Sequence, residues 1–242
     1  MNWFIGTSGW SYKDWQGRFY PKQLSGPVSH LKYYAENFNA TEVNSTFYNT
    51  PGKETLEQWI RNTPDDFRFV IKINRYFSHM KRLKSDEAAS EKYETFRHLP
   101  DILDRNMGPI LVQLPGTMKK NLARLEAWLN FMPDFRYAFE FRHPSWFDQE
   151  VYRTLEKHNA ALVYSHNRDF PTDLKCTANF MYLRFQGPEK PYYSKYSHSQ
   201  IASEFEKINL FQDDCQDIFV FFNNTYQAYA AENARQWKDM IS

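Results

Sequence analysis

Cysteine is almost missing from this sequence. Cys176 and Cys215 are the only two, and they form no C-x-x-C pair. A disulfide framework and a zinc ribbon are therefore not expected, and the pattern is that of a reducing compartment. An excess of one charge is missing too: Lys and Arg number 30 against 29 Asp and Glu, a formal net charge of +1. The basic footprint that serves non-specific nucleic-acid binding does not cover this surface, although a local basic patch stays open. No apolar run reaches the roughly 20 residues that cross a bilayer. The opening MNWFIGTSGW has neither the basic stretch nor the long apolar core of an export signal. The expectation is a cytoplasmic protein with no membrane partner. The G-x-G-x-x-G of a dinucleotide fold is also absent. Aromatic residues, by contrast, make up 18% of the chain, enough for a large core and for aromatic-lined clefts.

Strand-like and helix-like stretches alternate along the 242 residues. The expected strands are Trp3–Thr7, Thr41–Asn44, Phe67–Ile73, Ile110–Leu114, Arg136–Phe141, Ala161–Ser165, Phe180–Phe185 and Ile218–Phe222. Helical spacing covers His30–Phe38, Glu54–Asn62, a long segment from Ser85 to about Asn106, Asn121–Phe131, Phe147–His158, Gln200–Leu210 and Gln227–Ile241. Gly108-Pro109 reads as punctuation, and Ser85 and Ser145 read as helix caps. An irregular polar segment replaces the helix after the sixth strand. Alternation of this kind implies parallel strands with right-handed crossovers. Eight units in this length predict a single (β/α)8 TIM barrel over residues 1–242.

Active sites of such barrels lie at the C-terminal strand ends, and strand residues alternate inside and outside. Ala138, Glu140 and Arg142 then share the inner face, with Phe139 and Phe141 packed toward the helices. Glu42 and Asn44 lie opposite Val43. Lys72 is in phase with Val70, Gln113 with Leu111, and Arg184 with Tyr182. Asn223 and Asn224 end the last strand. These residues predict a polar bowl in which Glu42, Lys72, Glu140 and Arg184 carry acid-base chemistry of a hydrolase, lyase or isomerase type. Opposed pKa shifts would divide the roles, and Lys72, desolvated near Arg184, would serve as base or nucleophile. The alternative is a set of mutually neutralising ion pairs that closes the barrel. Thr7-Ser8-Gly9-Trp10 reads as a tight turn that lets backbone approach a ligand.

Several motifs carry a resemblance. IGTSGWSYKDWQGRFYP (Ile5–Pro21), YAENFNATEVNSTFYNTP (Tyr34–Pro51), TPDDFRFVIKINRYFSH (Thr63–His79), GPILVQLP (Gly108–Pro115), FEFRHPSW (Phe139–Trp146), YLRFQG (Tyr182–Gly187) and FVFFNNTYQAYAAENA (Phe219–Ala234) closely resemble the YecE-like family, the domain of unknown function 72. The resemblance covers nearly the whole chain and implies a TIM barrel but no particular activity. It picks out Glu42, Asn44, Ser45, Thr46, Phe47, Tyr48, Lys72, His79, Gln113, Glu140, Arg142, Trp146, Arg184, Asn223, Asn224 and Asn233. Gln186 departs from the histidine that the family's R-x-H-G pattern implies, and a glutamine cannot titrate.

Other chemistries fare less well. His79, His143 and His166 with Glu42, Glu140 and Asp169 come nearest to a metal set, but no H-x-H or H-E-x-x-H occurs, so no metal or cofactor is expected. There is no G-x-S-x-G. Asn224 and Thr225 either cap the last helix or, with Gly187 and Lys190, hold a phosphate. Arg75, Lys81, Arg82, Lys84, Lys119 and Lys120, beside Tyr76, Phe77, Tyr192, Tyr193 and Tyr196, form the set a nucleic acid would use. The expected partner is a small polar or anionic ligand, phosphate- or sugar-like. Nucleic acid is the less favoured partner, and a non-catalytic ligand sensor is the third reading.

Overall fold

A computed structural model describes residues 1–132 and 135–241. Eight parallel strands close into a barrel in sequence order: β1 (Asn2–Ser8), β2 (Ala40–Val43), β3 (Arg68–Lys72), β4 (Met107–Gln113), β5 (Tyr137–Glu140), β6 (Ala161–His166), β7 (Phe180–Phe185) and β8 (Asp217–Phe222). The helices outside them are α1 (Pro27–Ala35), α2 (Lys53–Arg61), α3 (Glu87–Glu94), α4 (His98–Leu103), α5 (Leu122–Phe131), α6 (Gln149–Lys157), α7 (His198–Asn209) and α8 (Tyr229–Asp239). No helix joins β6 to β7, as the polarity of that segment predicts.

Alternation along the strands sorts the side chains into two clusters. Phe4, Ala40, Val70, Leu111, Ala138, Ala161, Val163, Phe180, Tyr182, Phe219 and Phe221 fill the barrel interior. Ile5, Val43, Ile71, Val112, Phe139, Phe141, Leu183 and Phe222 face the helices. The interior is filled asymmetrically. Bulky rings enter from β7, β8 and β1, with Phe4 stacked on Phe219 at 4.7 Å, while β2, β5 and β6 contribute alanines. Two arginines plug the N-terminal end. The Arg136 guanidinium lies 4.3 Å from the Phe180 ring centroid and pairs with Asp217 at 2.8 Å. Arg68 covers Phe4.

Several boundaries differ from the sequence expectation. The helix expected from Ser85 to Asn106 is two helices, because Pro100 has no N–H with which to continue α3 and instead sits in the first turn of α4. Its cap is Asp86, which accepts from the Ala89 amide, not Ser85. Gly108 and Pro109 lie inside β4 rather than before it. The residue before α6 that caps it is Asp148, not Ser145. Among the described residues no helix is long and apolar enough to cross a membrane.

Candidate active site at the barrel mouth

The inner face turns from apolar to polar near the C-terminal strand ends, where one guanidinium organises the layer. Arg184, on β7, is 1% exposed. Its Nε donates to Glu42 Oε2 at 2.9 Å and its Nη2 to Glu42 Oε1 at 2.8 Å. Its Nη1 bonds Glu140 Oε2. One planar fork therefore bridges carboxylates from β2 and β5 across the barrel, a geometry that lysine could not provide.

Each carboxylate is then completed by neighbours. Ser8 Oγ donates to Glu42 Oε1 and Tyr182 Oη to Glu42 Oε2, both at 2.8 Å. Gln113 Nε2 and Arg142 Nε donate to Glu140 Oε1 at 2.8 and 2.9 Å. Burial acts to raise both carboxyls. For Glu42 the Arg184 charge and hydrogen bonds outweigh it and hold the group below the usual carboxylate range. For Glu140 the charges of Arg184, Arg142 and Lys72 bring it down to about 2. Burial also lowers Arg184, but the two carboxylates overcome this and raise it well above its ordinary value. Both acids are thus ionised near neutrality, and neither has a proton to donate. The expectation of opposed shifts on two carboxylates does not hold.

Lys72 stands apart. Its Nζ donates to Gln113 Oε1 at 3.0 Å and lies 4.7 Å from the Phe47 ring centroid, and among the described residues it touches no carboxylate. Burial and then the Arg184 charge lower it from 10.5 to about 8, against the pull of Glu42 and Glu140. His79 sits on a π-helical turn, Tyr76–Met80, with its ring edge-on to Phe47 at 5.0 Å. Burial and the Lys72 charge lower it, so the imidazole is neutral near neutrality. Arg142 uses only Nε on Glu140, and its guanidinium lies 4.6 Å from the Phe170 ring centroid. Phe170 belongs to the irregular segment after β6, which thereby overhangs the mouth. Asn44 and Asn223 make no side-chain hydrogen bond among the described residues, and Asn223 is 9% exposed at the end of β8.

Glu42, Lys72, Gln113, Glu140, Arg142 and Arg184 thus come together, with His79 alongside. Six other expected ligand contacts lie elsewhere. Thr7 points to the helix side, where its hydroxyl meets Tyr34 at 3.0 Å, and its neighbour Ser8 takes the inner position. Trp10 packs edge-on to Trp59 and donates to the Pro27 carbonyl. Trp146 is fully buried, stacked on Phe141 at 4.6 Å, and donates to the Met118 carbonyl. The Thr46 hydroxyl lies 2.7 Å from both the Val43 and Lys72 carbonyl oxygens and so fastens β2 to β3. Tyr48 stands on the rim, 65% exposed. Asn224 neither caps α8 nor opens to a ligand: its amide donates to Ser194 O and Asn233 Oδ1, both at 3.0 Å. The amide of Gln227, just ahead of α8, donates to Asp14 Oδ2 at 2.7 Å, so that amide already has a partner within the chain.

The site also takes in Ser8 and Tyr182, which the sequence expectation lacks. Tyr182 shares the inner face with Arg184, and that phase relation was the available signal. Gln186 also faces inward and donates to Ser165 Oγ at 2.8 Å, where it forms part of the wall. Among the described residues no three His, Cys, Asp or Glu side chains converge as a metal would need. The basic rim is partly neutralised, since Lys81 pairs with Asp86 and Lys120 with Asp148 and Glu150. Phe77 and Tyr196 are buried, which removes them as stacking platforms.

Known proteins share this arrangement of strands. A DUF72 family protein from Thermotoga maritima MSB8 superposes with a TM-score of 0.87 at 31% identity, over 100% of this chain and 99% of that one. A DUF72 family protein from Enterococcus faecalis V583 gives a TM-score of 0.81 at 21% identity, a likeness of fold. The UPF0759 protein YunF of Bacillus subtilis (strain 168) is 25% identical, over 98% of this chain and 94% of its own length. The UPF0759 protein YecE of Escherichia coli (strain K12) is 33% identical over 64% of this chain and 54% of its own length. Residues 4–242 match the family described as Protein of unknown function DUF72, and the chain is a member of that family.

Proposed function

We propose that the barrel mouth binds a small anionic ligand and that Lys72 is the group that exchanges a proton there. The observation that carries this reading is the charge count of the inner layer. Three cations, Lys72, Arg142 and Arg184, face two carboxylates, Glu42 and Glu140, and the carboxylates are committed to Arg184 and Arg142. One positive charge is left over, and among the described residues the donors not committed to a carboxylate are the Lys72 ammonium and the Arg142 Nη groups. Asn44 and Asn223 add neutral donors whose side chains have no hydrogen-bond partner among the described residues. A phosphate, a carboxylate or a phosphorylated sugar has the acceptor oxygens that such donors need.

Within this reading the acid-base roles are narrower than two carboxylates would suggest. Glu42 and Glu140 set the field and hold Arg184, and Lys72 alternates between ammonium and amine as a hydrolase, lyase or isomerase would require. Titration calorimetry with inorganic phosphate, pyrophosphate and a hexose phosphate tests the binding. Charge-assisted hydrogen bonds are worth about 1.5–3 kcal/mol each, so Lys72→Met or Arg142→Met is expected to weaken binding by roughly 10- to 100-fold, at about 1.4 kcal/mol per decade. No heat with any of the anions at millimolar concentration, or equal binding by the variants, would sink the reading.

A further inference from the structure

Lysines that face a barrel interior only to balance charge should rest on a carboxylate. Lys72 does not, although two carboxylates lie in the same layer. Glu42 accepts four hydrogen bonds, two from Arg184 and one each from Ser8 and Tyr182, and Glu140 accepts three, from Arg184, Arg142 and Gln113. Among the described residues the one hydrogen bond from Lys72 Nζ goes to a neutral amide oxygen, Gln113 Oε1, at 3.0 Å. That amide cannot rotate away without losing its own bond from Nε2 to Glu140, so it fixes the direction of Nζ. The Phe47 ring closes a second side. Lys72 itself is only half-buried, at the C-terminal end of β3.

We propose that Lys72 Nζ is a nucleophile that forms an iminium with the carbonyl carbon of an aldehyde, ketone or 2-oxo acid carrying an anionic group. The inference rests on the anion-binding reading for the second half of that substrate, with Arg142 as the cation that takes the anionic end. The lone pair of the neutral amine forms the N–C bond and the carbonyl π pair moves to oxygen. That oxygen takes up two protons and leaves as water. In sum, ammonium plus carbonyl gives protonated imine plus water, with no change of oxidation state and no further reactant. Glu42 and Glu140 favour the cationic product through their field, and the lowered basicity of Lys72 supports the presence of free amine near neutrality. A protonated imine withdraws electrons from the adjacent carbon, so the reaction classes served are proton abstraction beside a carbonyl and cleavage or formation of the neighbouring C–C bond.

The test is reductive trapping. The protein is incubated with glyoxylate or pyridoxal 5′-phosphate, as anionic aldehydes, and with glycolaldehyde, as a neutral one. Cyanoborohydride then reduces any iminium, and peptide mass spectrometry locates the secondary amine. Lys72 is expected to be labelled at least tenfold faster than any other lysine at pH 7. Its rate should rise about tenfold per pH unit and level off near pH 8, while surface lysines continue to rise. Lys72→Arg should abolish the fast label and keep the folded state. Labelling spread evenly over the lysines, or a Lys72 rate that keeps rising to pH 10, overturns the proposal. The two readings fail separately. Phosphate binding without fast Lys72 labelling removes the nucleophile and leaves the anion site. Fast labelling by glycolaldehyde and glyoxylate alike, unaffected by added phosphate, keeps the nucleophile and removes the anion site.

Discussion

Arg184 is the residue on which the mouth depends. Removing it by Arg184→Met would leave Glu42 and Glu140 buried without their shared cation. Breaking a buried pair in this way costs about 3–5 kcal/mol, and denaturant unfolding near pH 7 should report a loss in that range. The deficit should shrink as the solution is acidified and the stranded carboxyls take up protons. A loss under about 1 kcal/mol would mean that the layer is held by something else. Lys72 has the opposite sign. Its pKa is 10.5 ordinarily and about 8 in the folded chain. Between these values the folded state binds fewer protons than the unfolded chain, so stability rises with pH across that window, and the charged form is a net cost below it. Lys72→Met is therefore expected to stabilise the protein near neutrality, by at most about 3 kcal/mol at about 1.4 kcal/mol per pKa unit. The gain should fade above pH 10. Urea titrations of both proteins at pH 7 and pH 10.5 check this, and a destabilised Lys72→Met at pH 7 contradicts it.

Elements meet most closely where β1 passes β2. Gly6 pairs with Ala40, and a Cβ on Gly6 would sit 1.8 Å from the Ala40 carbonyl oxygen and 2.6 Å from Tyr34 Oη. Tyr34 Oη already ties the two strands, receiving the Thr7 amide at 2.7 Å and donating to Ala40 O at 3.0 Å. Neither backbone nor phenol can yield without loss of these bonds. Gly6→Ala is expected to cost upward of about 3 kcal/mol, at the severe end of overpacking, and to shift the glutamate of β2 that faces Ser8. Unfolding midpoints compared with wild type measure the effect, and a neutral outcome would show that β1 slides freely. The strands themselves were legible in sequence because alternating inner and outer residues leave a period of two. Helix ends were less so. Ser85 and Ser145 are good caps by type, yet Asp86 and Asp148 do the capping. Chain direction at the preceding turn decides which of two nearby acceptors meets the free amides.

The whole molecule responds to pH through the same buried layer. Glu42 and Glu140 are held below their ordinary values, so their contribution to stability is fully present above about pH 4.5. It is lost as pH falls toward about 2, where Glu140 takes up its proton. Thermal unfolding followed from pH 7 to pH 2 should show little change down to about pH 5 and a steep decline below it. In Glu140→Gln the decline should be shallower, and identical pH profiles for the two proteins would assign acid lability elsewhere. The neutral overall charge argues only against a broad nucleic-acid footprint, and it hides a mouth with one surplus cation.

Alternation and element order determined the barrel, the inward phase of Glu42, Lys72, Gln113, Glu140 and Arg184, and the missing helix after β6. Each of these is a local property that repeats along one strand or one connection. Which acid meets which base is not local. Glu42 and Arg184 are 142 residues apart, and only closure of the sheet brings β2, β5 and β7 around one guanidinium. Two expected contacts fall outside the site: Thr7 shares the outer face of β1 with Ile5, and Trp146 lies on the turn after β5, stacked on Phe141. Among the described residues closure left Lys72 as an inward cation with no carboxylate of its own, since Arg184, Ser8, Tyr182, Gln113 and Arg142 already meet the two acids.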